Sequence, residues 1–374
     1  MARKRRRIVI RDRKKTAMRL ALVAIILATV VGVGVFAFLT VRKMNRKLGL
    51  RSIPVESSAL CCGTGDGVLY VRNGMLDFFS FKDEDNNFSK FLTSSADGLA
   101  GSRGIKAVWS GNAIQIIDAP FDIVPDGTVR AVKAGSSHIA VLTKRPNGEE
   151  SVTVYNTTGQ QVYSMSFAPG SLAGFGFGEA SGQTLWTMEL AVESGTPRTT
   201  ITTFDLSRMS ATGVMTVSGQ LVEDVFFTNT SVFIVGTESL IRCTASANRE
   251  IYRVQLHGYK VIDRSMDGEN VALLLVKRNV PSITDLKLLT VSQKDVADET
   301  AVTFTLGEGT VGWHLLEGKL LLATESSIRR FDKKGKQTEM TALPAGTTLA
   351  SHKLDDKHIL LERSGEFDLL TIGR

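Results

Sequence analysis

The sequence predicts an all-β protein, a β-propeller of about seven four-stranded blades with six or eight also compatible, preceded by one N-terminal transmembrane α-helix. Three observations carry this prediction. Beyond Pro54, short β-rich runs bounded by Gly, Asn, Asp and Ser replace any 3.6-residue helical spacing. A unit of turns and three to four such runs recurs along the chain. Ahead of them, 22 uncharged residues from Leu20 to Val41 stand between two basic segments. The chain has 374 residues, 43% hydrophobic and 22% charged, which excludes wholesale disorder and provides for a sizeable core. Three cysteines exclude a disulfide-stapled mini-domain.

The net charge of +7 is unevenly distributed. Residues 1–19 carry +9, from Arg3, Lys4, Arg5, Arg6, Arg7, Arg11, Arg13, Lys14, Lys15 and Arg19 against one acid; residues 42–51 carry +5, and the remaining 323 carry −7. A helix over Leu20–Val41 would rise about 33 Å, enough for a hydrocarbon core of ~30 Å. A cleaved signal peptide has a shorter apolar region and a small-residue cleavage site, whereas this run passes straight into Arg42-Lys43. The expectation is an uncleaved single-pass anchor in the lipid bilayer. The excess of cations before the span keeps the N-terminus cytoplasmic and places the C-terminal domain outside. Ala24, Ala28 and Gly32 share one face of that helix, spacing compatible with a helix–helix contact. The expected domains are a basic tail (1–19), a transmembrane helix (20–41), a basic juxtamembrane stalk (42–56) and an extracytoplasmic propeller (57–374). The tail has no aromatic residue for base stacking, and no nucleic acid is expected as a partner.

The repeat is clearest in two stretches, Ser136–Phe167 and Glu317–Leu343. Each contains an apolar strand, a turn, a strand ending in Asn/Asp-x-x-Gly, and a final strand. The hairpin turns are Asn156–Gly159 and Asp332–Gly335, where a tight reversal needs a residue tolerant of positive φ. Weaker copies start near Gly67, Asn112, Thr184, Ser231, Asn270 and His358, mostly 39–49 residues apart, with one short second interval of 26 that fits a degenerate unit. A period of this size with three to four strands marks propeller blades, and a strand near Val55–Cys61 would complete the last one. A pair of sandwiches or a β-helix is the alternative architecture, without a reason for this period.

These hairpins resemble the blades of quinoprotein-like and WD-repeat-like propellers. The whole layout resembles uncharacterised single-pass, membrane-anchored propeller proteins of Gram-positive bacteria. That resemblance implies a fold and a cell-envelope location but brings no activity with it. Trp109, Trp186 and Trp313 lack the regular spacing of quinoprotein blades, so no quinone is implied.

Searches for chemistry return little. His138, His257, His314, His352 and His358 form no H-x-x-x-H pair, and no G-x-S-x-G elbow is present. Asp83–Asn87 lacks the glycine and glutamate of a calcium loop and reads as an acidic hairpin tip. The glycines of Gly63–Gly67 and Gly174–Gly178 have no Gly-Lys-Ser/Thr beside them and read as turns. Cys61 or Cys62 has the option of bridging to Cys243, with chance buried thiols as the simpler account. Asn87, Asn156 and Asn229 match the glycosylation pattern at about the frequency chance provides. No catalytic, metal or cofactor site is expected. The sequence thus favours a non-catalytic module or scaffold binding an extracytoplasmic protein or envelope polymer. An envelope enzyme or a ligand sensor using the channel face is the alternative.

Overall fold

A computed structural model describes residues 48–178, 182–228, 230–247, 249–267, 270–292, 299–345 and 347–372. The chain divides into two compact units: residues 1–49 with 372–374, and Leu50–Thr371. The second unit is a propeller of eight antiparallel sheets, seven four-stranded and one three-stranded. Blade 1 contains β2 (Cys61–Gly63), β3 (Gly67–Arg72), β4 (Met75–Ser80) and β5 (Phe88–Phe91); blade 2 contains β6 (Gly98–Gly101), β7 (Lys106–Ser110) and β8 (Ala113–Ile116). Blade 3 is β9 (Thr128–Ala134), β10 (His138–Lys144), β11 (Glu150–Asn156) and β12 (Gln161–Phe167). Blade 4 is β13 (Leu172–Phe177), β14 (Thr184–Glu193), β15 (Thr196–Asp205) and β16 (Ser210–Ser218). Blade 5 is β17 (Val222–Phe227), β18 (Ser231–Gly236), β19 (Ser239–Thr244) and β20 (Glu250–Gln255). Blade 6 is β21 (Tyr259–Asp267), β22 (Asn270–Lys277), β23 (Asp285–Ser292) and β24 (Glu299–Thr305). Blade 7 is β25 (Thr310–Leu316), β26 (Lys319–Thr324), β27 (Ser327–Phe331) and β28 (Gln337–Ala342). Blade 8 takes β29 (Thr347–Lys353), β30 (His358–Arg363) and β31 (Glu366–Ile372) from the end of the chain, and its outer strand is β1 (Leu48–Glu56). Strands within a blade are called A to D outward from the axis, where the A strands of neighbouring blades touch.

The core lies in layers between blades. In β22, Val271, Leu273 and Leu275 pack with blade 5, while Ala272, Leu274 and Val276 pack with blade 7. A strand covered on both faces must be apolar at every position, which is why the central runs do not alternate. Within blade 2, Gly98 makes room for the Trp109 ring of its paired strand, since a Cβ there would stand 2.0 Å from that ring.

Two local devices recur. In blades 3 to 7 the A–B ladder slips once, opposite the same level of strand B, passing over Arg130, Ala173, Glu223, Ile262 and Val311. Such bulges bend the strand next to the axis. The B–C turns of blades 1 and 8 share the pattern Arg-x-Gly-x-φ-Asp: Arg72–Asp77 and Arg363–Asp368. The two turn residues have positive φ (51° and 76°, 55° and 87°), and each Arg reaches the Asp five residues on. In blade 4 the pair is reversed, Glu193 to Arg198 at 2.7 Å.

Two expectations are corrected. Eight blades replace seven. Blade 2 has only three strands, and its second strand begins at Lys106, so dividing the chain by an average period undercounted the ring. The single-pass anchor with an extracytoplasmic domain is withdrawn. Among the described residues no helix is long and apolar enough to cross a membrane, and the only helical turn is the 3-10 segment Glu84–Asn86. Leu20–Val41 and the flanking charges from Arg3 to Arg19, on which the anchor rested, lie outside the described residues. Leu48–Glu56, within the segment read as a stalk, is β1.

Candidate functional site

Because every ladder is antiparallel, the ring has two chemically distinct faces. One carries the A–B and C–D turns; the other carries the B–C turns and the D–A connections between blades.

The A–B face is polar and tightly turned. The turns at Asn156 and Asp332 both lie here and match bond for bond. Oδ1 of the first residue accepts from the amides two and four residues on, and the glycine amide donates to its carbonyl. Gly159 and Gly335 have φ of 82° and 81°. Blade 5 makes a related turn from Thr244 and Ala247, where Ala247 takes φ 53° and its amide donates to the Thr244 carbonyl. The acidic tip Asp83–Asn87 joins β4 to β5 on this face, with Asp83 Oδ1 accepting from the Asp85 amide.

Near the axis, blades 6, 7 and 8 are joined by Asp263 of β21. Its carboxylate accepts from Lys353 Nζ (2.9 Å) and the Leu315 amide (2.7 Å), and lies 3.3 Å from His314 Nδ1. Burial pushes the Asp263 carboxyl up, but the His314 hydrogen bond, the Lys353 charge and the Leu315 amide outweigh it and hold it below the ordinary carboxylate value. Lys353 also donates to the Arg264 carbonyl and pairs with Asp356, whose Oδ2 accepts from the Met266 amide. Arg264 pairs in turn with Asp224 of blade 5. Each charge faces its opposite, so the cluster acts as a staple between blades.

The remaining predicted residues do not converge. His138 opens β10, with Ser137 Oγ 3.0 Å from its Nδ1, and burial lowers its pKa. His358 bonds Asp355 and stacks on Phe81 of blade 1 at 4.0 Å, sealing the ring closure. His257 sits in a D–A turn at φ 52°, and His352 meets Phe367 edge-on. Cys61, Cys62 and Cys243 are free thiols; burial pushes Cys62 and Cys243 up to about 12. Among the described residues no group of three His, Cys, Asp or Glu side chains is placed to hold a metal. Asn87 is held by the Ser80 amide, and Asn229 lies outside the described residues.

What sequence reasoning missed is on the B–C face. Large exposed hydrophobics gather there over blades 4 to 6: Leu190, Val192, Leu221, Ile262, Val280 and Ile283, with Val192 73% exposed. On the opposite face Phe121 and Met209 are exposed in the C–D turns of blades 2 and 4, and Phe91 and Val124 are exposed singly in blades 1 and 2. The supports beneath this arc are polar and ordered. Arg278 clasps Glu223 with two bonds of 2.9 and 2.6 Å and donates from Nε to the Tyr259 carbonyl. The Glu223 carboxylate raises the Arg278 pKa against the opposing effect of burial. Gln220, 4% exposed, donates to Ser239 Oγ and accepts from the amides of Glu238 and Ser239. Thr237 donates to the Leu221 carbonyl, and Gly219 to that of Pro197. Pro197 and Pro281 further restrict the two protruding loops. The arc is therefore an apolar surface held in place by polar contacts within the fold.

The backbone is similar to solved propellers. The WD40 domain of SCAP from fission yeast covers 89% of this chain and 96% of its own length, at TM-score 0.57 and 9% identity. The computationally designed Ika8 protein covers 87% and 100%, at TM-score 0.52 and 8% identity. At such identities the likeness establishes the fold alone. No family model and no curated protein matches the sequence.

Proposed function

We propose that the propeller is a non-catalytic protein-interaction module whose binding surface is the apolar arc on the B–C face of blades 4 to 6. The observation that carries this reading is the gathering of exposed Leu, Val and Ile on one arc of one face, over loops held by the Glu223–Arg278 clasp and the buried Gln220. Exposed apolar side chains grouped this way are stabilised by burial against a partner, at about 25 cal/mol per Å² removed from water. Loops fixed beforehand lose little conformational entropy on docking. A protein or peptide suits this surface better than a carbohydrate polymer, because the arc offers hydrocarbon where a polymer needs hydrogen-bonding groups. The titratable residues near the axis support the same view, since Asp263 and Lys353 are already engaged with each other.

Photo-crosslinkers placed at Leu221 and Val280 on the arc, and at Lys334 on the opposite face, test the assignment in cells. Adducts with a protein are expected from the first two positions and not from Lys334, and Val280→Asp with Ile283→Asp should abolish those at Leu221. Equal capture from both faces, or adducts indifferent to these substitutions, would refute it.

A further inference from the structure

Strand β14 runs past its inner neighbour. The β13–β14 ladder ends where Leu172 faces Glu189, with one further bond from the Leu190 amide to the Ser171 carbonyl. Ser171 then turns away, its own amide donating to Ala168. β14 continues to Glu193 with only β15 beside it. The direction of its main-chain groups follows from the register. Leu190 points its N–H towards β13, so Val192, two residues on, points both its N–H and its carbonyl to that same side. The residue opposite Val192 is Pro197, which has no N–H to give and whose carbonyl accepts from Gly219 on the far side. The Leu190 carbonyl and both main-chain groups of Val192 therefore form a short open edge. Among the described residues no strand covers it.

We infer that this edge is a strand-addition site, where an extended segment of the partner protein continues the β13–β14 ladder as an antiparallel strand. The inference rests on the interaction-module reading and names its mode of recognition. Two features select an extended peptide as occupant. The alternation of acceptor, donor and acceptor along Leu190 and Val192 complements peptide main chain, and the site continues a ladder already present. A residue paired with Val192 sets its side chain beside that of Val192, so the segment should be apolar at alternate positions. The edge also lacks the usual protection: no lysine, proline or bulge lies on β14 from Leu190 to Glu193, and the Glu193 charge is answered by Arg198.

The test uses the full chain and twelve-residue peptides selected against it from a random display library. Each is compared with a version N-methylated at alternate residues, which keeps every side chain and removes main-chain donors. Val192→Pro removes the edge N–H without breaking a β14–β15 bond, and unchanged thermal unfolding verifies that it folds. The expectation is a loss of about tenfold or more in affinity for Val192→Pro with the unmodified peptides, and for wild type with the N-methylated set. The Val192 amide should also exchange more slowly with deuterium when the peptide is bound. Peptides that bind the arc, are lost with Val280→Asp and Ile283→Asp, yet ignore Val192→Pro and N-methylation would overturn strand addition and leave the interaction surface standing. A selection returning no peptide sensitive to any of these substitutions overturns both.

Discussion

Removing the Asp263 carboxylate should cost more than any surface substitution in the ring. The side chain is 13% exposed and joins three blades: its own, blade 7 through the Leu315 amide and His314, and blade 8 through Lys353. Asp263→Ala leaves the Lys353 ammonium, 18% exposed, without its nearest counter-charge. Breaking a buried pair from one side costs about 3–5 kcal/mol, whereas removing both partners costs much less. Asp263→Ala is therefore expected to lose about 3 kcal/mol or more in urea unfolding. Adding Lys353→Met should restore part of that loss. The proton linkage has a definite sign. The folded carboxyl lies below its ordinary value, so its stabilisation is present above the unfolded pKa of about 4 and is lost as pH falls through the depressed folded value. Wild type should lose stability over that acid window more steeply than Asp263→Ala. A single-mutant loss below about 1 kcal/mol, with additive effects in the double mutant, would refute the staple.

Other predictions test separate parts of the structure. Leu273→Ala, in the layer between blades 5 and 6, should cost about 2–5 kcal/mol in denaturant unfolding through the cavity it opens. Asn156→Ala should lose about 1 kcal/mol, since Oδ1 satisfies two turn amides and the Thr158 hydroxyl; an unchanged midpoint would remove the turn from the set of specific contacts. Ser364→Asn puts at φ 55° the residue that blade 1 uses at Asn73, and thermal unfolding should rise by the equivalent of a few tenths of a kcal/mol. Cys62 and Cys243, with thiols near 12, should resist iodoacetamide at pH 8 until the chain is denatured, as read by mass spectrometry of the intact protein.

The repeat was legible because the start of strand B follows a polar turn in nearly every blade: Gly67, Thr184, Ser231, Asn270 and His358 each begin one. Blade 2 misled because its strongest turn signal, Gly111-Asn112, belongs to the B–C turn, whereas its A–B turn follows Ser102. The blade 5 turn was hidden because Thr244 and Ala247 replace the expected Asn/Asp and Gly. The Arg-x-Gly-x-φ-Asp pattern was visible in the sequence, but the two copies lie in the first and last blades and invite no comparison until the ring is closed. The staple was beyond local spacing, with Asp263 and Lys353 90 residues apart. The apolar arc was harder still. Val280 or Ile283 reads in sequence like any core residue, and only the register shows which strands outrun their neighbours.

The seam between β1 and β31 has a consequence for how the chain is made. Strand β1 leaves the ribosome about 310 residues ahead of the strand it pairs with, Glu366–Ile372. Ile53 and Val55, buried in the finished layer between blades 8 and 1, must wait for all seven intervening blades to be made before they meet their final neighbours. A pairing so distant in sequence is slow to form and leaves an apolar strand open to wrong partners meanwhile. The ring therefore closes only once β31 is available, and a nascent chain halted before Glu366 leaves Ile53 and Val55 without the blade 8 partners Phe367 and Leu369.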